Sequence, residues 1–324
     1  MTDLANLVAL EAAAALVHSV VPPTPQYRWP LLSRRVGAEI WVKHENHTPT
    51  GAFKVRGGVV YLNDLRRSRP DLKGVVTATT GNHGQSIAYS ATALGLAATI
   101  VVPQGNNPGK NRAMRGFGAT LVEVGHDFQA AYEHAAALAE RENLQFVRSF
   151  HPLLVRGVAS YALELFRAVA DLDTVYVPVG LGSGICGVLA AREALGLTTE
   201  VVGVVAESAP TYALSFAAGH PVPTNRADTL AEGIAVRVPD PQALAIILKG
   251  AARIVTVSEG EIRQAARAMF NDTRNLAEGA GAAPLAAALQ ERTRLAGKRV
   301  ALIQSGGNIE RTLFAELLAE PDAE

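Results

Sequence analysis

Short runs of β-branched and other apolar residues alternate along this chain with longer alanine-rich segments of helical period. Such alternation argues for strands joined by helical crossovers, and so for a parallel sheet covered by helices in an α/β fold class. The pattern predicts strands at Glu39–Lys43, Gly74–Thr77, Ala98–Val102, Thr120–Val124, Thr174–Val179, Val201–Ala206 and Arg299–Gln304. Helices are expected at His83–Leu94, Phe128–Glu142, Gly157–Ala170, Gly184–Leu195, Glu259–Asn271 and Ala280–Arg292. No fixed-period repeat or low-complexity tract competes with this reading. A chain of 324 residues suits one large domain or two interlocked ones.

Thirty basic side chains face thirty acidic ones, a balance that argues against a nucleic-acid partner. Cys186 is the lone cysteine, so no intrachain disulfide or cysteine-based zinc site is available, and a reducing cytoplasm fits. The apolar stretch Leu7–Val21 is broken by Glu11 and His18 and follows Asp3 rather than a basic segment. It reads as an amphipathic first helix and not as a secretion signal, and no membrane association is expected.

In an open parallel sheet the ligand sits beyond the carboxyl ends of strands, where loops open into helix N-termini able to receive an anion. Three such loops stand out: Thr79–Gly84, Gly180–Gly184 and Ser305–Asn308. In Gly180-Leu181-Gly182-Ser183-Gly184 the backbone amides can converge on a phosphate while the glycines permit close approach. The same stretch satisfies a dinucleotide fingerprint, with Gly182, Gly184 and Gly187 spaced as G-x-G-x-x-G and Glu207 closing the next strand; it also suits a plain tight turn. Thr79-Thr80-Gly81-Asn82-His83-Gly84 offers hydroxyls, an amide and an imidazole for a carboxylate or ring hydroxyl, or simple N-capping by Thr80 or Asn82. Ser305 could aim its hydroxyl at a ring nitrogen or lie in a turn. Lys54, between Phe53 and Val55 after a turn-rich approach, is either a surface charge or a Schiff-base amine held in a desolvated pocket.

Together, in order and spacing from about Pro22 to Ile309, these segments resemble the fold-type-II pyridoxal-phosphate enzymes, most closely the threonine dehydratase and serine racemase branch. The resemblance implies two interlocked open parallel-sheet domains with the cofactor between them: a large cofactor-binding domain of residues 1–70 and 151–324, and a small substrate-loop domain of residues 71–150. It implies Lys54 as the Schiff-base lysine, Phe53 beside the ring and Asn82 on the ring hydroxyl. Gly180, Leu181, Gly182, Ser183 and Gly184 would hold the phosphate, with Ser305 at the pyridine nitrogen. Thr79, Thr80, Asn82 and His83 would hold the substrate carboxylate, and Thr80 sits where racemases of the family carry a serine on the opposite face of the cofactor.

The expected reaction is dehydration and deamination of a small 3-hydroxy-2-amino acid of the threonine or serine type to a 2-oxo acid and ammonia, with Lys54 as the base at the α-carbon. A dehydratase for a bulkier substrate such as 3-phenylserine, an amino-acid racemase, and a cofactor-binding protein without turnover are the rivals. Three departures from the family bear on this choice: Leu181 for a common glycine, Ala52 for a common serine, and His151-Pro152 for an acidic stretch. Glu207 matches a carboxylate that binds a divalent cation in relatives, but its companion position is Ala213, so no metal is expected. The tail from Asn308 to Glu324 is too short for the regulatory domain of biosynthetic threonine dehydratases, so no feedback by isoleucine is expected; a homodimer is the expected assembly.

Overall fold

The computed structural model describes residues 5–321. The strands are β1 (Gln26–Arg28), β2 (Glu39–His44), β3 (Gly74–Ala78), β4 (Ala97–Val102), β5 (Thr120–Glu123), β6 (Gln145–Phe146), β7 (Thr174–Pro178), β8 (Glu200–Ala206), β9 (Arg253–Val257) and β10 (Arg299–Gln304). One sheet runs β1-β2-β10-β7-β8-β9 and is parallel except for β1, which is antiparallel to β2. The other runs β5-β4-β3-β6 and is parallel throughout. Each of the seven expected strands is present, displaced by no more than one residue at either end. The three additional strands, β1, β6 and β9, all lie at sheet edges. There one partner is missing and side chains stay partly exposed, which blunts the apolar signal.

The six expected helices are present, and the one expected from Gly157 starts earlier, at Pro152. Proline suits the first helical position, and the His151 side chain accepts the Leu153 N–H at 3.2 Å, so the helix gains a cap that its apolar periodicity does not reveal. The first helix spans Leu7–His18 and is capped by Asn6. A more consequential departure is the helix Lys54–Ser68, where Gly57 and Gly58 weaken helical propensity. Packing requires both glycines. A Cβ on Gly57 would lie 2.8 Å from the Leu154 carbonyl oxygen, and one on Gly58 would lie 2.4 Å from Ser86 Oγ, because the helices Asn82–Ala93 and Pro152–Ala168 press against this one.

Apolar clusters cover both faces of each sheet, as parallel strands require. Strand β3 is flanked by β4 and β6, and β7 by β8 and β10, so the chain order reverses at these two strands. Crevices form beyond the carboxyl ends of such strands. The loop after β3 is Thr79–Gly81 and the loop after β7 is Val179–Gly182, so both reversal points feed the region where the sequence places its motifs.

Below that region a buried charge network ties the helix Lys54–Ser68 to its surroundings. Arg56 is fully buried and donates from Nε to Glu45 at 2.7 Å, from Nη1 to Glu164 at 2.6 Å and from Nη2 to Thr24 Oγ1 at 3.2 Å. Lys43 donates to the same Glu164 at 2.5 Å. Removing one member would leave an unpaired buried charge, so the network fixes the rotation of the helix that begins with Lys54.

Among the described residues no helix is long and apolar enough to cross a membrane.

Candidate active site

A narrow cleft lies where the two reversal points meet, lined by Phe53, Lys54, Asn82, Pro178, Gly180–Gly184, Gly233, Ile234, Glu278, Ala280 and Ser305. Four helices start at its wall, namely Lys54–Ser68, Asn82–Ala93, Ser183–Ala194 and Gly279–Gln290, and none has a side-chain cap. Elsewhere Asn107, Asp127, Asp240 and Ser258 cap the helices they precede. The first amides of a helix have no partner inside it, so uncapped starts turn a partial positive charge toward the cleft.

Lys54 is set by pairing between two loops. The Phe53 amide donates to the Ser305 carbonyl at 3.0 Å, the Gly307 amide to the Gly51 carbonyl at 2.9 Å, and Ala52 bridges Gly306. These contacts hold Lys54 and Ser305 on one wall, although 250 residues separate them in the chain. The Lys54 ammonium lies 5.2 Å from the centre of the Phe53 ring. Burial pulls its pKa down to about 8, against an opposing pull from the Glu278 carboxylate, so a useful fraction of neutral amine exists near neutral pH.

The glycine loop is shaped by close approaches. Gly182 has φ +101°, and a Cβ there would fall 2.6 Å from the Ala243 methyl. A Cβ on Gly180 would fall 2.4 Å from the Gly233 carbonyl oxygen. Two tyrosines hold the loop carbonyls away from the cleft: Tyr212 donates to the Leu181 oxygen and Tyr161 to the Gly184 oxygen, each at 3.1 Å. Tyr161 also packs edge-on to Phe53, with centroids 6.0 Å apart, linking the glycine loop to the lysine wall.

Asn82 enters the cleft from the start of its helix, and its side-chain nitrogen donates to Glu278 Oε1 at 2.7 Å. Capping by Thr80 or Asn82 is not what this helix uses, since its N-cap is Gly81 without a side-chain bond. Thr79 is buried, with its hydroxyl oxygen accepting the Gly81 amide at 3.0 Å. His83 is buried with Nε2 unpartnered, and burial, followed by the Lys54 charge, takes its pKa down to about 3, so the imidazole is neutral. Thr79, Thr80 and His83 adjoin the cleft in sequence but do not line it. Glu207 is exposed and away from the lining, and among the described residues no group of three or more His, Cys, Asp or Glu side chains gathers as for a metal ion.

Sequence reasoning did not single out Glu278, Gly233, Tyr161 or Tyr212. Glu278 is buried, and that burial raises its pKa against the opposing charge of Lys110 and the Asn82 hydrogen bond. The tyrosines sit inside apolar helical segments that read as ordinary core. Glu278, immediately before a helix of alanines and glycines, reads as a solvated helix start; only the tertiary contact with Asn82 distinguishes it.

These residues fit pyridoxal phosphate. The glycine loop keeps a close-packed shape that a Cβ at Gly180 or Gly182 would disrupt, its uncapped helix start suits a phosphate, and Lys54 supplies an amine of depressed pKa on the same cleft wall as the buried Ser305. Residues 17–306 match the family model described as pyridoxal-phosphate dependent enzyme. An L-threonine ammonia-lyase of Geobacter sulfurreducens is 38% identical over 86% of this chain and 69% of its own length. An L-threonine ammonia-lyase of Thermotoga maritima is 34% identical over 97% of this chain and 78% of its own length. Among solved structures, the processed form of threonine deaminase isoform 2 from Solanum lycopersicum superposes with a TM-score of 0.91 at 30% identity, covering 97% of this chain and 92% of that one. The dinucleotide reading of the glycine loop falls with these matches, and the chain belongs to the pyridoxal-phosphate dependent enzymes, in their threonine dehydratase branch.

Proposed function

We propose that this enzyme dehydrates and deaminates a small 3-hydroxy-2-amino acid of the threonine or serine type, releasing a 2-oxo acid and ammonia. The observation that carries the reading is the meeting of Lys54, Ser305, Asn82 and the glycine loop in one cleft, in a chain whose relatives are L-threonine ammonia-lyases. When bound, the cofactor supplies an electron sink for the pair left at the α-carbon. The Lys54 amine would hold the cofactor and would be the base that accepts the α-proton. The 3-hydroxyl leaves with a proton as water, and hydrolysis of the resulting enamine consumes one water and releases ammonia. The loop Gly180–Gly184 would take the phosphate, and Asn82 would donate to the ring hydroxyl. The Ser305 hydroxyl would face the ring nitrogen, and being neutral it would supply no negative charge to keep a proton there, which suits elimination better than transamination. Thr79, Thr80 and His83, next to Asn82, are proposed to receive the substrate carboxylate.

The four-stranded sheet falls wholly within residues 71–150, which supports the proposed small domain, with the helix Lys54–Ser68 lending Tyr61, Leu62 and Leu65 to its core. A cytoplasmic homodimer is the proposed setting. The buried thiol of Cys186 suits a reducing compartment, and the half-exposed Tyr27 and Leu31 beside the edge strand β1 offer an apolar surface for association.

Incubating the enzyme with the isomers of serine, threonine, 3-hydroxyaspartate and 3-phenylserine and measuring 2-oxo acid decides the substrate. Release of 2-oxo acid and ammonia in equal amounts from serine or threonine is expected. Conversion to the opposite enantiomer without 2-oxo acid would overturn the proposal.

A further inference from the structure

Asn82 is held from both ends of its carboxamide. Its nitrogen donates to Glu278 Oε1 at 2.7 Å, and its oxygen accepts from Asn308 Nδ2 at 2.8 Å. The polarity of this chain is dictated at its far end. Asn308 Nδ2 also donates to the Thr50 carbonyl at 2.8 Å, and a backbone carbonyl can only accept. The Asn308 atom at that junction is therefore the nitrogen, its second hydrogen reaches Asn82, and the Asn82 atom facing it is the oxygen. The opposite face of the amide then points its nitrogen at Glu278. One of the two N–H groups is used there, and the other remains for the cleft.

We propose that Asn308 and Glu278 are positioning residues that fix the orientation of the Asn82 carboxamide so that an N–H, and not a carbonyl oxygen, faces the cofactor. This rests on the reading of Asn82 as a cofactor contact. Turned over, the amide would present lone pairs to the oxygen it is meant to bind, exchanging a donor for a repulsion. The seat of Asn308 is built for the purpose. Gly51, at φ +67°, leaves room that a Cβ, 2.6 Å from Asn308 Oδ1, would fill, and the Gly307–Gly51 backbone bond holds the two loops together. Asn308 belongs to the same loop as Ser305 and Glu278 precedes the helix Gly279–Gln290, so segments distant in the chain agree on a single orientation.

The test is the dissociation constant of pyridoxal phosphate from the apoenzyme, read by equilibrium dialysis. Asn308→Asp keeps the shape but only accepts, which favours the turned-over amide, and should weaken binding about tenfold; Asn308→Ala, which releases the lock without reversing it, should weaken it about threefold. Glu278→Gln retains a carbonyl that accepts from Asn82 and should stay within about threefold of wild type. In Asn82→Ala the carboxamide is gone, so adding Asn308→Asp should cause no further loss. Wild-type affinity in Asn308→Asp, or a loss that adds in full to that of Asn82→Ala, would overturn the proposal. Wild-type affinity in Asn82→Ala would instead remove the reading of Asn82 on which the proposal stands. Thermal unfolding of each apo variant separates a folding defect from a loss of binding, because a structural role would lower both while the positioning role moves affinity alone.

Discussion

The depressed pKa of Lys54 makes a quantitative prediction that needs neither substrate nor cofactor. A lysine whose pKa falls from 10.5 to about 8 carries roughly 3 kcal/mol of bias toward the neutral amine in the folded state. Between those two values the unfolded chain holds a proton that the folded chain has released, so stability rises with pH across that window and gains nothing from Lys54 below about 8. Lys54→Met keeps the stem and removes the titration. In urea unfolding of the two apoenzymes, the stability advantage of the methionine variant should be greatest at pH 7 to 8. It should shrink by roughly 1.4 kcal/mol per pH unit from there toward pH 10, other titrations cancelling in the difference. A difference independent of pH would show that the amine is not desolvated. The same shift leaves about one amine in ten neutral at pH 7, against about one in three thousand for an ordinary lysine, and only the neutral amine can attack an aldehyde.

The glycine loop and the charge network give two further tests. Gly182→Ala forces a side chain into a left-handed backbone at φ +101° and against Ala243, costing about 1–2 kcal/mol of strain, and affinity for pyridoxal phosphate should fall about tenfold; an unchanged dissociation constant would remove the loop from the phosphate site. Arg56→Met leaves Glu45 and Glu164 facing each other without their shared partner, and denaturant unfolding should show about 3–5 kcal/mol of lost stability. A loss under about 1 kcal/mol would mean that the network is not what anchors the lysine helix.

What the sequence disclosed, and what it hid, follows from the range of the interactions. Strands such as β7 and β10 are buried on both faces, so their apolar runs are continuous and their ends are marked by glycine or polar residues; six of the seven expected strands are interior and were legible for that reason, while β5 was legible although it lies at an edge. The loops that carry Asn82, the glycine stretch and Ser305 stood out because each follows a strand at its carboxyl end, whereas Lys54 stood out only through the resemblance to the pyridoxal-phosphate enzymes. The helix beginning at Lys54 was hidden by Gly57 and Gly58, whose presence answers to Leu154 and Ser86 rather than to local propensity. Glu278 and Asn308 were hidden as site residues because their significance lies in a hydrogen-bonded chain through Asn82, which joins segments about 200 residues apart or more. Tyr161 and Tyr212 act through hydroxyls on the glycine-loop carbonyls, which periodicity reads only as buried aromatic area.

The central claim is that one particular amine carries the cofactor. Among the described residues two other lysines are buried, but Lys43 is paired with Glu164 and Lys110 with Glu232 and neither lines the cleft, while Lys54 does. Reducing the cofactor-loaded protein with borohydride, digesting it and locating the pyridoxyl mass by tandem mass spectrometry tests this directly. The adduct is predicted on the peptide containing Lys54 and absent from Lys54→Ala; an adduct on Lys43 or Lys110, or one undiminished in Lys54→Ala, would contradict it.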